Sequence, residues 1–332
     1  MPFRAITGHR PLLALLSRAT ARDTLPPSLL FAGPEGVGKR LTAIALAQAL
    51  NCERPVETEA GRDSCGTCGQ CTRIARGVHA DVLIVEPGDT GAIKIEQIRE
   101  VIDRTGYRPF EGRRRVVIVD HAEALGIPAQ DSILKTLEEP PSASVFVLIT
   151  DRPDVLLPTV RSRCQRLRFG PLSPADVAAV LVRDHAMSAT EAHAAAAAAG
   201  GSIGRAMDGN AEDVLEARDA AARLLQGTAG STDPRRRLDG AKLFTGGGSD
   251  RDEMSRRLLA LSSLIRDLGL LAARADERAL ANADLKPQLQ SLLRSYDGDR
   301  ALRAFGVVDR ALDAIDRNAS PKIVADWVAL NL

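Results

Sequence analysis

An α/β unit built on a parallel sheet, followed by an all-helical remainder, is the fold class this chain predicts, and three observations predict it. Short apolar, β-branched runs alternate with helical patterns over the first half, which is how a parallel sheet covered by helices reads. A glycine-rich loop separates the first such run from the first Ala/Leu-rich stretch. After Gly170-Pro171 the β-branched runs stop. A length of 332 residues allows two or three domains. The expected boundaries are an α/β domain over 1–168 with a cysteine-bearing insert at 52–71, a small helical domain over 169–210 and a helical bundle over 211–332.

Taken in order, Ser28-Leu-Leu-Phe-Ala32 is a short strand ending at Gly33, and Leu41 to Leu50 is a helix. Further strands are legible at Val82–Val85, Val116–Val119 and Val145–Ile149, with helices over Ile95–Thr105 and Ala129–Leu137 between them. Ser173-Pro-Ala-Asp176 offers a capping Ser, a Pro at the first helical position and an acid three residues after the cap. Ser188 with Glu191 repeats the capping box, so two helices start there. The alanine run Ala194–Ala199 stops at Gly200-Gly201, a helix C-terminus. A helix near 211–226 follows, and Gly227–Asp252, rich in Gly, Ser, Asp and Arg, reads as a long flexible connection. Leu258, Leu261, Ile265 and Leu268 recur at three-four spacing, and Ser320-Pro321 opens a last helix carrying Trp327.

Composition excludes several classes. Hydrophobic residues at 45% and charged residues at 26% are the balance of a folded soluble protein. Lys+Arg 44 against Asp+Glu 43 leaves a net charge of +1, so the bulk signature of an autonomous nucleic-acid binder is missing. Any DNA contact must come from a local patch or through partners. No run of about 18 apolar residues occurs and no basic-then-apolar leader opens the chain, so a cytoplasmic address without a membrane partner is expected.

Gly33-Pro-Glu-Gly36-Val-Gly38-Lys39 matches the G-x4-G-K of a phosphate-binding P-loop. Its glycines let backbone N–H groups turn toward phosphates and its lysine reaches the terminal ones. The next position should carry a hydroxyl for magnesium; here it is Arg40, and Thr42 comes two residues too late. The Val116–Val119 strand delivers Asp120, the usual second magnesium anchor. The residue after it, where an ATPase needs a Glu to polarise water, is His121, with Glu123 two positions on. Gly33, Gly36, Gly38, Lys39, Arg40 and Asp120 are therefore candidate nucleotide-binding residues of a site in which ATP with Mg2+ can bind but turnover is not expected. The alternative takes Glu123 or His121 as the base.

Cys52, Cys65, Cys68 and Cys71 form C-x12-C-x2-C-x2-C, enough thiolates for a tetrahedral zinc site. With four protein ligands no position stays open for substrate, so the expected zinc is structural. Unliganded buried cysteines, a redox pair and an iron–sulfur site are the alternatives; the last needs a fourth cysteine soon after Cys71, and none follows nearby.

Leu157-Pro-Thr-Val-Arg161-Ser162-Arg163-Cys164 follows the Val145–Ile149 strand, and by itself reads as a solvated loop. The P-loop, the cysteine cluster, Gly112-Arg-Arg-Arg-Val-Val-Ile-Val-Asp120, Leu134-Lys-Thr-Leu-Glu-Glu-Pro-Pro141 and Ser162-Arg163-Cys164, in this order, resemble the delta-prime family of bacterial DNA polymerase III clamp-loader subunits, a branch of the AAA+ proteins. The resemblance is specific over residues 1 to about 170, extends weakly to Gly201-Ser-Ile-Gly-Arg-Ala206, and is otherwise one of length and helical character.

It implies an AAA+ sheet domain, a helical lid and a C-terminal collar. It further implies a hetero-pentamer with tau/gamma motor subunits and a delta subunit, acting on a sliding clamp and primed DNA. Arg163 would enter a neighbouring motor subunit's ATP site, and the chain itself would lack ATPase or polymerase activity within the nucleotidyltransferase holoenzyme. An ATP-hydrolysing motor subunit of the same loader is the alternative. Arg205 falls where related ATPases carry a phosphate-sensing lid arginine, and Asp151 falls where hydrolysing relatives often carry an amide.

Overall fold

The computed structural model describes residues 1–88, 90–208, 211–231, 233–245, 250–276 and 279–332. The chain divides into two compact units, Met1–Pro171 and Leu172–Leu332.

The first unit opens with α1 (Arg10–Ala21) and β1 (Ser28–Ala32), then α2 (Lys39–Asn51), the hairpin β2 (Val56–Thr58) and β3 (Gly61–Asp63), and α3 (Gly69–Ala75). It continues with β4 (Val82–Val85), α4 (Ile95–Thr105), β5 (Arg115–Val119), α5 (Ile127–Glu138), β6 (Ser144–Thr150), α6 (Pro158–Arg163) and β7 (Gln165–Arg168). Five strands form one parallel sheet in the order β4-β5-β6-β1-β7. Both faces are covered, so the inner strands read as unbroken apolar runs, and their alternate residues feed two separate cores. Leu29, Phe31, Val116, Ile118, Val145 and Val147 face the core that also holds Leu46 of α2 and Ile74 of α3. Leu30, Val117, Val119, Phe146 and Leu148 face the one that holds Ile98, Ile133 and Val160.

The second unit is helical throughout: α7 (Pro174–His185), α8 (Ala189–Ala198), α9 (Ile203–Asp208), α10 (Ala211–Ala229), α11 (Pro234–Thr245), α12 (Arg251–Ala272), α13 (Lys286–Leu292), α14 (Gly298–Asp316) and α15 (Pro321–Asn331). Ser173 Oγ accepts the Asp176 amide at 3.1 Å and Ser188 Oγ the Glu191 amide at 3.3 Å, so both expected caps form. Leu258, Leu261, Ile265 and Leu268 are buried in the core shared by α10, α12, α14 and α15.

The flexible connection expected over 227–252 needs correction. Helix α10 runs on to Ala229, Pro234–Thr245 is a further helix, and α12 begins at Arg251; positions 232 and 246–249 lie outside the described residues. Ala241 and Phe244 anchor α11 by burial. With so few apolar residues among its arginines and glycine, its helical period is faint in the sequence. The loop reading of Arg161–Arg163 also gives way: Pro158 stands at the start of a short helix that carries both arginines.

Candidate nucleotide site and metal centre

Parallel strands bring their carboxyl ends to one edge, where strand-to-helix loops gather. At that edge β1 leads into Gly33–Lys39, β5 into Asp120 and β6 into Asp151. A Cβ on Gly33 would lie 2.1 Å from the Phe169 carbonyl oxygen, so only glycine fits beside β7's exit. Gly36 and Gly38 hold φ of 71° and 97°, left-handed conformations that glycine adopts without a side-chain clash, and Gly38 caps α2. Lys39 Nζ donates to the Gly33 and Pro34 carbonyls at 2.6 Å each. Burial lowers its pKa, opposed in decreasing order by the charges of Asp151, Glu123, Asp120 and Glu35. The P-loop residues and Asp120 are thus brought together.

The residue after the lysine decides the chemistry. Arg40 Nη1 donates to Asp120 Oδ2 at 2.9 Å and is also ion-paired with Glu86. Asp120's side chain is 8% exposed against 46% for Arg40, so the guanidinium reaches inward to the carboxylate. Magnesium requires near-octahedral oxygens at about 2.0–2.1 Å; the carboxylate that would supply one is taken by a fixed cation. Thr42 Oγ1 donates back to the Gly38 carbonyl at 2.9 Å, which spends its hydroxyl inside α2. His121 adopts a left-handed φ of 52° and its Nδ1 lies 3.2 Å from Glu123 Oε1. Glu123 Oε2 is buried without a hydrogen-bond partner. Glu86 has no motif to mark it; only its place directly after the Val82–Val85 run, as Asp120 follows β5, could have pointed to it.

At the opposite edge, α2 ends and Cys52 follows it, the β2–β3 hairpin leads to Cys65, Cys68 caps α3, and Cys71 lies one turn inside that helix. All four Sγ atoms lie within 4.8 Å of one another, with Cys52 and Cys68 at 3.9 Å. A tetrahedral Zn2+ with Zn–S near 2.3 Å would space its sulfurs by about 3.8 Å, so the cluster suits it. The Cys65 amide donates to Cys52 Sγ at 3.2 Å, and the Thr67 and Cys68 amides donate to Cys65 Sγ at 3.4 and 3.3 Å. Burial acts to raise the Cys65 pKa, yet the Thr67 and Cys68 amides, the Thr67 hydroxyl and the Cys52 side chain bring it down to about 6. Burial pushes Cys52 and Cys71 up instead. Four closed thiols with N–H donors aimed at sulfur could hold a soft tetrahedral metal such as zinc.

On α6, the Arg163 guanidinium sets Nε and Nη2 on Glu138 Oε2 at 3.1 and 3.0 Å and Nη1 on the Thr159 carbonyl at 3.0 Å. Its side chain is 31% exposed, and Ser162 beside it is open to solvent. Arg161 pairs with Asp154 at 2.7 Å. Cys164 is buried in the sheet's second core and burial pushes its thiol up to about 12, so it packs rather than reacts. Arg205 lies exposed on α9, in the second unit. Among the described residues no helix is long and apolar enough to cross a membrane.

The family match falls on the unit that carries the site. A family model described as "DNA polymerase III, delta subunit" matches residues 8–173. The delta-prime subunit of DNA polymerase III from Bacillus subtilis is 37% identical over 163 residues, 49% of this chain and 48% of that protein. The gamma/tau subunit of Mycobacterium bovis is 33% identical over 181 residues, 54% of this chain and 31% of that protein. A solved structure of a gamma-subunit-related protein from Thermotoga maritima aligns over 95% of this chain and 97% of its own at 18% identity, with a TM-score of 0.39, too loose a likeness to carry weight. The chain spans about half the length, or less, of these curated relatives. With the family model matching half of its residues, among them the P-loop, the cysteine cluster and Ser162-Arg163-Cys164, this chain belongs to the DNA polymerase III delta-subunit family.

Proposed function

We propose that this chain is a delta-prime subunit of a DNA polymerase III clamp loader, a scaffold that does not hydrolyse ATP and lends Arg163 to the ATP site of a neighbouring tau/gamma motor subunit. The observation that carries the reading is the Arg40–Asp120 ion pair at 2.9 Å. Phosphoryl transfer relies on positioned charge more than on covalent help from the protein. A P-loop whose magnesium carboxylate is held by arginine, and whose water-polarising position is His121, lacks the parts that matter most. Arg163 meets the opposite requirement. It is a part-exposed guanidinium, tied to its own chain by the Glu138 ion pair, worth about 0–1 kcal/mol, and by one hydrogen bond to the Thr159 carbonyl, and an arginine supplied across an interface is worth roughly 10³ to 10⁵ in rate.

Domain roles follow: residues 1–168 hold the P-loop fold and zinc module, 169–210 the lid and 211–332 the collar through which the pentamer, with a delta subunit, is held. Cys52, Cys65, Cys68 and Cys71 would bind one structural Zn2+, which supplies folding energy to the insert and no reactive site. Loading of a sliding clamp on primed DNA is the assembly's task. The second reading, an ATP-hydrolysing motor subunit, draws on Glu123, whose charge acts on Lys39 and whose Oε2 is buried without a hydrogen-bond partner while Oε1 meets His121.

One reconstitution separates the two. The full chain is mixed with purified tau/gamma and delta subunits and the clamp, and ATP hydrolysis is followed for the chain alone and for the assembly, with and without Arg163→Ala. The scaffold reading expects negligible turnover alone and a loss in the Arg163→Ala assembly. Magnesium-dependent turnover by the isolated chain, abolished by Lys39→Ala, would establish the motor reading instead.

A further inference from the structure

In the second unit, the start of α11, the first turns of α14 and the end of α15 border an open cavity of about 330 Å³, lined by Arg237, Arg300, Arg303, Ala304, Asn331 and Leu332. Three guanidiniums gather there, and two of them are held in place. Arg300 donates from Nε to the Leu332 oxygen at 3.2 Å, from Nη1 to the Ser295 carbonyl at 2.9 Å and from Nη2 to the Thr228 carbonyl at 3.4 Å. Its guanidinium also lies over the buried Tyr296 ring, 4.5 Å from the centroid. Arg237 donates from Nε to the Ser231 carbonyl at 2.9 Å, from Nη1 to the Leu330 carbonyl at 3.0 Å and from Nη2 to the same Thr228 carbonyl at 3.5 Å. Arg303 is exposed, and its side chain makes no hydrogen bond among the described residues.

Carbonyl contacts orient these cations without neutralising them. Thr228 and Leu330 stand in the last turns of α10 and α15, where carbonyls carry only partial negative charge. A guanidinium has five N–H groups, and Arg237 and Arg300 each spend three of them on carbonyls, which leaves two apiece. None of the three arginines is ion-paired with an Asp or Glu among the described residues. Asp233 and Asp297, close by in sequence, accept the amides of Arg235 and Arg300 at 3.0 and 2.7 Å instead. A carboxylate at Leu332 sets one negative charge against three positive ones. Capping helix ends explains Arg237 and Arg300 singly; it explains neither their meeting at one carbonyl, where like charges repel, nor Arg303.

We infer that this cavity is a phosphate-binding site, taking a dianionic phosphate group that is either free, as phosphate or pyrophosphate, or the terminal group of a small phosphate ester. Arg237 and Arg300 present fixed N–H donors and Arg303 closes on the anion from the rim. Guanidinium forks match phosphate oxygens in pairs, which is why arginine is favoured where such groups are recognised. Two negative charges answer the local surplus of two positive ones; a carboxylate answers half of it. The cavity lies wholly in the second unit, so the inference is independent of the P-loop and of Arg163.

The test is calorimetric titration of the full chain with pyrophosphate and with ADP at constant ionic strength. It is run in the parent and in Lys39→Ala, which removes the phosphate-reaching lysine of the P-loop. Saturable pyrophosphate binding that survives Lys39→Ala is expected. In that background Arg303→Ala should weaken it about tenfold, the loss of one charge-assisted hydrogen bond, and Arg303→Glu should abolish it. The Arg303 side chain bonds to nothing in its own chain, so both variants should unfold thermally with their parent. ADP binding as tight as pyrophosphate or tighter assigns the site to a phosphate ester, and weaker ADP binding assigns it to the free anion; either outcome supports the inference. An absence of saturable pyrophosphate binding in Lys39→Ala overturns it, as does binding that Arg303→Glu keeps in full. A single-stranded oligonucleotide without terminal phosphate that binds through Arg303 more tightly than pyrophosphate also overturns it, because the patch would then read a diester backbone.

Discussion

Arg163 and Glu138 are ion-paired at 3.0 Å, which joins the Ser162-Arg163-Cys164 turn to the acidic end of the Leu134–Pro141 segment. For the arginine to reach another subunit's phosphate it must leave this carboxylate. The pair is part-exposed, so its removal should change stability by less than about 1 kcal/mol. If Arg163 serves a neighbouring motor subunit as proposed, Arg163→Ala should lower hydrolysis at that subunit's site roughly 10³-fold, measured in a loader whose other sites carry P-loop lysine substitutions. Glu138→Gln should leave that rate intact or raise it by up to about fivefold, the equivalent of 1 kcal/mol. A fall matching Arg163→Ala would instead mean that Glu138 aims the arginine.

Arg40 gives a prediction of opposite sense. Replacing it by Ser returns a hydroxyl to the position after Lys39 and frees Asp120 for a cation. Arg40→Ser should tighten Mg·ATP binding by about tenfold or more, a change of about 1.4 kcal/mol, read by calorimetry with and without magnesium. Hydrolysis should stay negligible, because His121 still stands where the water base belongs. Equal affinity in parent and variant would show that the guanidinium does not block the site.

A metal held by the four cysteines should matter beyond those residues. Asn51, next to Cys52, holds the amides of Arg113 and Arg114, while Gln70 and Arg73 of α3 hold the Glu111 carbonyl and carboxylate at 3.4 and 2.8 Å. Structural zinc contributes on the order of 10–16 kcal/mol in small peptides. Chelation should therefore raise amide exchange over 52–75 and over 106–115 together, with β1, β5 and β6 unchanged. Metal analysis should return one zinc per chain before chelation. Exchange confined to 52–75 would separate the loop from the metal.

Legibility in the sequence followed the range of the interactions. The P-loop and the cysteine cluster were plain because their chemistry is local: glycines at fixed offsets, and three of the four thiols at every third position. The inner strands were plain because burial on both faces leaves nothing but apolar residues. Strand β7 was missed, since Gln165-Arg-Leu-Arg168 lies at the sheet edge with only Leu167 buried. The Arg40–Asp120 contact spans 80 positions and Asp81 reaches loop amides 29 to 31 positions away. No periodicity announces such pairs; they exist only once the strands have brought their ends together.

Asp81 makes the acid limb of stability predictable. Burial alone would raise its pKa, but the amides of Glu111, Gly112 and Phe110 and the Arg115 guanidinium more than offset it and hold the carboxyl at about 2. A pKa depressed in the folded state contributes stability that is complete above the unfolded value near 4 and disappears as pH falls toward 2. The contribution is about 2–3 kcal/mol at neutral pH, at 1.36 kcal/mol per unit. Asp81→Asn should cost about 3–5 kcal/mol at pH 7, because it also leaves Arg115 buried without its counter-ion. In urea unfolding, the gap between parent and variant should be constant from pH 7 to 5 and narrow steadily from pH 4 downward. A gap that does not change down to pH 3 would mean that Asp81 is not the ionised hub of this loop.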